Sequence, residues 1–185
     1  MAGTGHVKKM ARRGDAQHGP PGRGSIHAHT REVSRITIRP LRHGDAATVL
    51  ALFDRLGDES RRHRFGAAKP RLTEKELALL ACVDGTHHVL VAHVPGDPRP
   101  AGIARLVRDG SSAQVACSVA DECQGLGIGR MLLDELTVLA RAAGIVELRA
   151  TVVGDNPRVV SLLTRLGMRR ESRWNGGELE LVLAL

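Results

Sequence analysis

The stretch VADECQGLGIGRMLLDELTVLARAAG, residues 119–144, joins a glycine-rich loop directly to a helical pattern of leucines. Gly125, Gly127 and Gly129 alternate with other residues at the point where the helix begins. Glycines at a helix start cost conformational entropy, so their presence indicates a need for unusual backbone angles or close approach. They also let backbone N–H groups converge, and the helix adds the positive end of its dipole. The stretch therefore predicts an anion-binding loop, with Arg130 as an added cation.

Two familiar nucleotide-binding loops do not match this stretch. A Walker A loop requires Lys and then Ser or Thr after its last glycine, whereas Gly129 is followed by Arg130 and Met131. A dinucleotide fingerprint requires a third glycine three residues after the second, and Leu132 stands there. It also requires an acidic residue at the end of the next strand, which here reads TVVG. The predicted anion therefore belongs to another kind of ligand.

Hydrophobic periodicity and turn residues predict the element order β-α-α-α-β-β-β-α-β-α-β-β, starting near Ser34. Helix-start signals support three of the helices. They are Asp45, Thr73 with Glu76 three residues later, and Asn156 followed by Pro157. The predicted fold class is α/β (α+β), with helices and strands combined in a single domain. A mixed sheet is flanked by helices, and the glycine loop and its helix cross over between two central strands.

The composition is that of one globular domain. The 185 residues are 42% apolar, and Phe53, Phe65 and Trp174 are the only aromatic residues. The core must therefore consist of Leu, Val, Ile and Ala, and Trp174 is expected to cover it near the last hairpin. Because there is no tyrosine, no mechanism that needs a phenol is available.

Positive charge is concentrated at the start of the chain. Residues 1–35 contain seven Lys or Arg and two acidic residues, out of 27 basic and 20 acidic residues in total. We expect a disordered, basic, Gly- and His-rich tail over 1–34 and a single domain over 35–185. A tail of this kind is able to touch nucleic acid, but a solvated extension is favoured over that reading.

The three cysteines and the hydropathy indicate a location. The cysteines, an odd and sparse set without metal-ligand spacing, fit a reducing compartment and predict no metal site. No apolar run is long enough to span a membrane, and the N-terminus lacks the apolar region of a signal peptide. We therefore expect a cytoplasmic protein that makes no contact with a membrane.

The loop and a second motif together resemble the GNAT superfamily of N-acetyltransferases. Its Q/R-x-x-G-x-G/A signature is matched by Gln124, Gly125, Leu126, Gly127, Ile128, Gly129 and Arg130. NPRVVSLLTRLGM, which begins at Asn156, resembles the family helix N-x-x-A-x-x-L-Y-x-K-L-G-F. The resemblance covers residues 36–185. It implies a mostly antiparallel, twisted sheet of about six to seven strands, with a crossover from the strand before the glycine loop, through the loop and its helix, to the strand after that helix.

The resemblance also assigns the site of a co-substrate, acetyl-CoA. The loop amides would bind its pyrophosphate, and the strand that holds Cys117 and Val119 would offer backbone groups to its pantetheine arm. Asn156 opens the helix that lies beside the thiol end in the family. No metal is implied.

A narrower similarity points to the acceptor. SRRHRF, residues 60–65, and the following helix and strand resemble bacterial protein lysine acetyltransferases of the Pat type. This implies a protein lysine as acceptor, for example on an acyl-CoA synthetase. Arg64 and Phe65 are candidates for shaping the acceptor pocket, although a buried aromatic packed against an arginine explains them equally well. Whether the protein is a monomer or a homodimer stays open.

The catalytic base is where the sequence departs from the Pat pattern. Those enzymes place a glutamate in a segment such as A-E-F-A, and this chain has Gln114 there. A Gln amide can orient water but cannot accept a proton. Leu163 stands where many GNAT enzymes have a tyrosine acid. Other candidate bases or nucleophiles are each more economically explained as packed or solvated side chains: Asp121, Glu122, His87, His88, His93 and Cys117.

Three function hypotheses follow from these residues. The first is an acetyl-CoA-dependent N-acetyltransferase that acts on an amine, with a protein lysine as the expected acceptor and a small-molecule amine as the competitor. The second is a catalytically weak acyl-CoA-binding or sensing module, motivated by Gln114. The third, nucleic-acid binding through the basic tail, ranks well below both.

Overall fold

The computed structural model of the protein describes residues 36–185, so the predicted tail over 1–34 lies outside the described residues. The elements follow the predicted order. The strands are β1 (Thr37–Pro40), β2 (His87–His93), β3 (Gly102–Asp109), β4 (Ser112–Val119), β5 (Glu147–Val153), β6 (Met168–Asn175) and β7 (Glu178–Ala184). The helices are α1 (Ala46–Phe53), α2 (Asp58–Phe65), α3 (Glu74–Leu80), α4 (Ile128–Ala142) and α5 (Pro157–Leu163). A 3₁₀ turn, Asp121–Cys123, precedes α4.

The seven strands form one sheet in the order β1-β2-β3-β4-β5-β7-β6. Every neighbouring pair is antiparallel except β4 with β5. This confirms the predicted mixed, mostly antiparallel sheet with a central crossover through the glycine loop and α4.

Two apolar layers cover the sheet because successive strand residues point to opposite faces. On one face, Leu132 and Leu136 of α4 lie in the same core cluster as Leu106 of β3. On the other face, Phe53 of α1 packs with Val89 of β2 in a smaller cluster. β2 reads as a continuous apolar run in its middle because both of its faces are covered.

Local signals in the sequence fix the helix ends. The Asp45 carboxylate accepts from the Thr48 N–H at the start of α1. Thr73 and Glu76 form the predicted capping box of α3. The Asn156 side chain accepts from the Val159 N–H, which confirms it as the cap of α5. Caps of this kind satisfy N–H groups that the helix itself cannot.

The parallel pair β4–β5 is short. Its register covers only Ser112–Gln114 against Glu147–Arg149, so the strands separate after Gln114. The last residues of β4, from Val115, and the last residues of β5, from Ala150, both line a cleft that opens between them. The fold therefore places a gap in the middle of the sheet, directly before the glycine loop.

Trp174 does not cover the core as expected. It lies on the edge strand β6 with 60% of its surface exposed. The leucines of β7 face the core instead: Leu179, Leu181 and Leu183.

Among residues 36–185, no helix combines the length and the hydropathy needed to cross a membrane.

Candidate active site

The glycine loop forms one wall of the cleft, and its glycines have two different functions. Gly125 and Gly127 both have a φ of +80°, a backbone angle that side chains with a Cβ rarely adopt. Gly129 is helical, and a Cβ there would meet Leu162 and Val119 at 3.5 Å. The first two glycines therefore shape the turn, whereas the third lies where α4 meets β4 and α5, with room for a methyl group.

The loop presents a row of unused hydrogen-bond donors. Gly127 caps α4 without a side-chain hydrogen bond, and the first loop-to-helix bond runs from the Met131 N–H to the Gly127 carbonyl, at 3.0 Å. Within residues 36–185, no group accepts from the six successive backbone N–H groups of residues 125–130. Such N–H groups at the positive end of a 15-residue helix form an anion site. Arg130 lies beside them and pairs with Asp134 at 3.5 Å.

The turn before the loop is anchored to α2. Gln124 Nε2 donates to Ser60 Oγ at 3.3 Å and to Asp121 Oδ1 at 3.2 Å. The Asp121 carboxylate also accepts from Ser60 Oγ and from the Gly57 N–H. Asp121 is therefore a positioning residue rather than a solvated turn residue. The SRRHRF segment contributes to the site partly by holding the loop in place.

Glu122 is bound in the same way. Its carboxylate accepts from Arg55 Nε at 2.7 Å, and the Arg55 side chain is almost fully buried. Arg55 also pairs with Asp97 at 3.1 Å. The sequence reading of Glu122 as a solvated residue is therefore incomplete, because this carboxylate ties the turn before the loop to the end of α1.

The two faces of β4 have separate surroundings. Cys117 and Val119 lie toward α4, within 4 Å of the position that a Cβ on Gly129 would take. Ala116 and Ser118 point to the opposite face, where they line a cavity with α1 and α2. Burial raises the pKa of Cys117 to about 12, and the nearby Arg64 opposes this shift. A raised pKa reduces the share of thiolate at neutral pH, which favours packing over nucleophilic attack for Cys117.

Gln114 lies where β4 and β5 part. It is exposed, lines the cleft, and stands opposite Val107 of β3 and Arg149 of β5. The Arg149 guanidinium pairs with Glu147 at 2.9 Å. The structure thus brings Gln114, the position that the resemblance assigns to the family's base, to the cleft.

Arg64 and Phe65, at the end of α2, line both the cleft and a smaller cavity beside it. The Arg64 guanidinium stands 5.2 Å from the centroid of the Phe65 ring. The Phe65 ring packs edge-on against Phe53, with 5.8 Å between centroids. Both residues therefore pack with aromatic groups and also face the cleft, and their contact with an acceptor stays a prediction.

Arg105 is a residue of this region that the sequence reading missed. It lies in the middle of β3, only 8% exposed, and its Nη1 has no hydrogen-bond partner among residues 36–185. Burial lowers its pKa, and the nearby Asp84 opposes this shift. The available signal was an arginine in the middle of the strand pattern AGIARLV, on the same side as Ile103.

His63 was also missed. This α2 side chain lines the cleft, and its Nδ1 lies 3.5 Å from Asn156 Nδ2, so α2 meets the start of α5 there. Of the site residues predicted from the sequence, all except Leu126 line the same cleft. The Leu126 side chain packs against the core instead.

One face of the sheet is open and rich in glutamate. Strands β5, β7 and β6 place these side chains in register on the cleft side, where Thr151 stands opposite Glu180, and Glu180 stands opposite Arg173. The cleft lining on these strands contains four glutamates and two arginines: Glu147, Glu171, Glu178, Glu180, Arg149 and Arg173. Acidic side chains predominate there.

Cys82, Asp84 and His87 lie close together at the turn between α3 and β2, with ligand atoms within 4.8 Å of one another. Hydrogen bonds within the turn explain this cluster. The Asp84 carboxylate accepts from the N–H groups of Thr86 and His87, at 2.8 Å each, and pairs with His87 Nδ1 at 2.8 Å. The Cys82 thiol donates to the same carboxylate.

Comparison with known proteins agrees with the fold and the loop. Residues 51–168 match the family model for the acetyltransferase (GNAT) family. The chain therefore belongs to the GNAT family of acetyltransferases, whose members transfer acyl groups to amines and generally use acetyl-CoA. The predicted family is confirmed.

Named relatives point to one part of this family. The chain is 32% identical to acetyltransferase Pat of Mycolicibacterium smegmatis over 134 aligned residues. The aligned segment covers 70% of this chain and 40% of that protein. The chain thus spans two-fifths of the length of that relative. It is 29% identical over 138 residues to acetyltransferase PA5475 of Pseudomonas aeruginosa, covering 71% of this chain and 74% of the relative.

The solved GNAT domain of S. lividans PAT has a similar structure. It superposes with a TM-score of 0.70 at 25% identity, covering 80% of this chain and 89% of that chain. Pat-type proteins are therefore among the relatives of this chain both in sequence and in fold.

Proposed function

We propose that this protein transfers the acetyl group of acetyl-CoA to an amine, and that the acceptor is a lysine of a protein. One arrangement carries the proposal. Six backbone N–H groups for which residues 36–185 provide no acceptor stand at the start of α4, directly beside the gap between β4 and β5. A long, flexible thiol carrier with a pyrophosphate in its middle needs an anion site and an extended groove next to each other, and both are present.

The described residues fit coenzyme A part by part. The N–H groups of residues 125–130 and the Arg130 guanidinium would hold the pyrophosphate. The backbone of Cys117 and Val119, on the strand edge that β5 leaves unpaired, would hold the pantetheine amides. Asn156, which caps α5 and lines the cleft, would lie beside the thiol end, as the resemblance to the family implies.

Acetyl-CoA supplies a thioester whose carbonyl carbon accepts an amine, with the thiolate as leaving group. The protein must present that amine in its neutral form. For a free lysine, deprotonation at pH 7 costs roughly 4–5 kcal/mol. Gln114 is unable to take the proton, but its amide can orient a water molecule that passes the proton to solvent. Gln114 thus positions groups in this mechanism and does not act as the base.

The acceptor side favours a cation. The open face of β5, β7 and β6 contributes four glutamates and two arginines to the cleft, which attracts an amine that approaches as an ammonium ion. The similarity to Pat-type relatives supports a protein lysine over a small amine. An open sheet face also has room for a protein surface.

The test is a thiol-release assay with acetyl-CoA and a panel of lysine-bearing proteins, peptides and small amines. We expect one free thiol for each acetylated amine, with the highest kcat/KM for a protein or peptide lysine. Thiol release equal to the acceptor-free blank with every acceptor would contradict the proposal. Higher kcat/KM for polyamines or other small amines would keep the reaction and reject the acceptor.

A second candidate rests on the amide at position 114. In a catalytically weak acyl-CoA-binding module, coenzyme A would bind tightly while acetyl transfer stayed slow. Calorimetric titration with coenzyme A, run beside the thiol assay, separates the two candidates. Tight binding with blank-level turnover indicates the binding module, and tight binding with turnover indicates the enzyme.

The expectation of a cytoplasmic location rests on the cysteines. Cys82, Cys117 and Cys123 are all free thiols in the structure. Free thiols without a disulfide partner are typical of a reducing compartment, where acetyl-CoA is also made and used. We propose that location for this protein.

A further inference from the structure

We propose that the cavity between Arg64 and Arg105 binds a carboxylate that belongs to the acyl group or to the acceptor. This proposal rests on the proposed acyl transfer and names a further chemical feature of its substrates. The carboxylate takes no part in bond making; it fixes the position of the molecule that carries it.

The proposal rests first on Arg105, a buried arginine whose Nη1 atom has no hydrogen-bond partner among residues 36–185. Arg105 is 8% exposed, its Nη1 makes no hydrogen bond, and no ion pair of residues 36–185 includes it. Asp84 is the nearby carboxylate, but it is engaged by His87 and by the Thr86 N–H. A buried charge is retained in proteins when something neutralises it or makes use of it.

A second guanidinium faces the same space. Arg64 makes no ion pair or side-chain hydrogen bond within the described residues, and its guanidinium stands 5.2 Å from the centroid of the Phe65 ring. It is close enough to Arg105 for the two charges to repel, and that repulsion helps to lower the pKa of Arg64 after burial itself. Two like charges at one cavity, with the nearby Asp84 carboxylate already bound within its own turn, indicate that a further anion comes with a ligand.

The cavity has the size of a short carboxylate. Its volume is about 50 Å³, and apart from the two arginines and Ser118 its lining is apolar. One water-sized group needs roughly 10–15 Å³ of cavity volume, so this cavity accepts about three to five heavy atoms. A carboxylate with one or two methylenes has this size.

The cavity is connected to the cleft where the acyl group would lie. Arg64, Arg105, Ala116 and Ser118 line both spaces. A carboxylate in the cavity therefore remains attached to a molecule in the cleft. Two sources satisfy this geometry: a dicarboxylic acyl group on coenzyme A, or an acidic side chain next to the acceptor lysine.

Matched substrate pairs separate the two sources. Succinyl-CoA and butyryl-CoA have acyl groups of the same length, but the succinyl group ends in a carboxylate and the butyryl group ends in a methyl. Two acceptor peptides that differ by Glu against Gln beside the lysine test the other source. We expect the carboxylate member of one pair to be favoured in kcat/KM by about 30-fold or more, since charged hydrogen bonds are typically worth one to two powers of ten.

Variants connect the preference to the cavity. Arg105→Gln should reduce the preference to within about 3-fold, and Arg64→Gln should act in the same direction and serves if the first variant does not fold. Arg108→Gln is the control, because Arg108 lies on the same strand, is exposed, and binds the Gly110 carbonyl outside the cavity. It should keep the full preference.

A binding experiment without coenzyme A keeps the inference separate from the proposed reaction. Propionate should bind the full-length protein in an NMR titration and propionamide should not, and Arg105→Gln should abolish the binding. If no acyl transfer is measurable, propionate decides: its failure to bind, or binding that survives Arg105→Gln, overturns the proposal. If acyl transfer is measurable, equal kcat/KM for succinyl-CoA and butyryl-CoA, together with equal kcat/KM for the Glu and Gln peptides, overturns the proposal.

Discussion

Replacing Gly127 by Ala should weaken coenzyme A binding far more than the same change at Gly144, although both changes cost the same stability. The two glycines lie at opposite ends of α4, with φ of +80° and +73°. At both positions an added Cβ meets nothing within 4 Å, so the change introduces backbone strain and no clash. The pair therefore isolates the function of the loop from its stability.

The stability effect follows from the backbone angle. A residue with a Cβ pays roughly 1–2 kcal/mol in the left-handed region. For a domain of this size, each kcal/mol lowers Tm by about 2–4 °C, so both variants should melt about 2–8 °C below the parent. Differential scanning calorimetry should show the same loss for both.

The binding effect should differ between the variants. Relaxing the Gly127 turn misdirects the N–H groups of residues 125–130, and each hydrogen bond to a charged group contributes about 1.5–3 kcal/mol. Loss of one such bond raises the Kd of coenzyme A by about 10- to 150-fold, measured by calorimetric titration at a temperature where both variants are folded. Gly144→Ala should bind like the parent. Equal Kd values for the two variants would refute the assignment of the loop.

Other changes test separate parts of the account. Gln114→Glu should raise kcat by about 10²-fold or more, because a positioned general base contributes that much; an unchanged kcat would reject the assignment of this position. Arg105→Met should raise the free energy of unfolding by about 1–3 kcal/mol, since it removes a buried donor without a partner; a less stable variant in urea titration would contradict this. Hydrogen bonds from Lys69 and Thr73 lower the pKa of Glu76 to about 2. The stability that this carboxylate adds is present above pH 4.5 and is lost as the pH falls toward 2, so Glu76→Gln should flatten this part of the pH profile in acid-unfolding measurements.

The sequence predicted the helices and strands themselves better than it predicted which strands pair with one another. The caps Asp45, Thr73 and Asn156 work through contacts only three residues apart, so their effects can be read locally. The glycine loop follows the same logic, because the unusual φ of Gly125 and Gly127 requires a residue without Cβ. Local backbone demands therefore account for the correct element order.

Features that depend on distant pairing were not visible. Nothing in the local pattern indicates that β7 inserts between β5 and β6, or that β4 and β5 part after Gln114. Trp174 was predicted to cover the core, yet the strand order leaves it on an exposed edge. Arg105 was passed over because a charged residue in a strand is ordinarily solvated. Its burial becomes apparent only when α1, α2 and α3 close over that face of the sheet.

The central claim is that the loop before α4 holds coenzyme A while its acyl end lies in the gap between β4 and β5. A crystal structure of the protein with acetyl-CoA tests this claim most directly. The account predicts pyrophosphate oxygens within hydrogen-bond distance of the N–H groups of residues 125–130, and the thioester in the gap between β4 and β5. Acetyl-CoA bound elsewhere, with those N–H groups turned away from its phosphates, would contradict it.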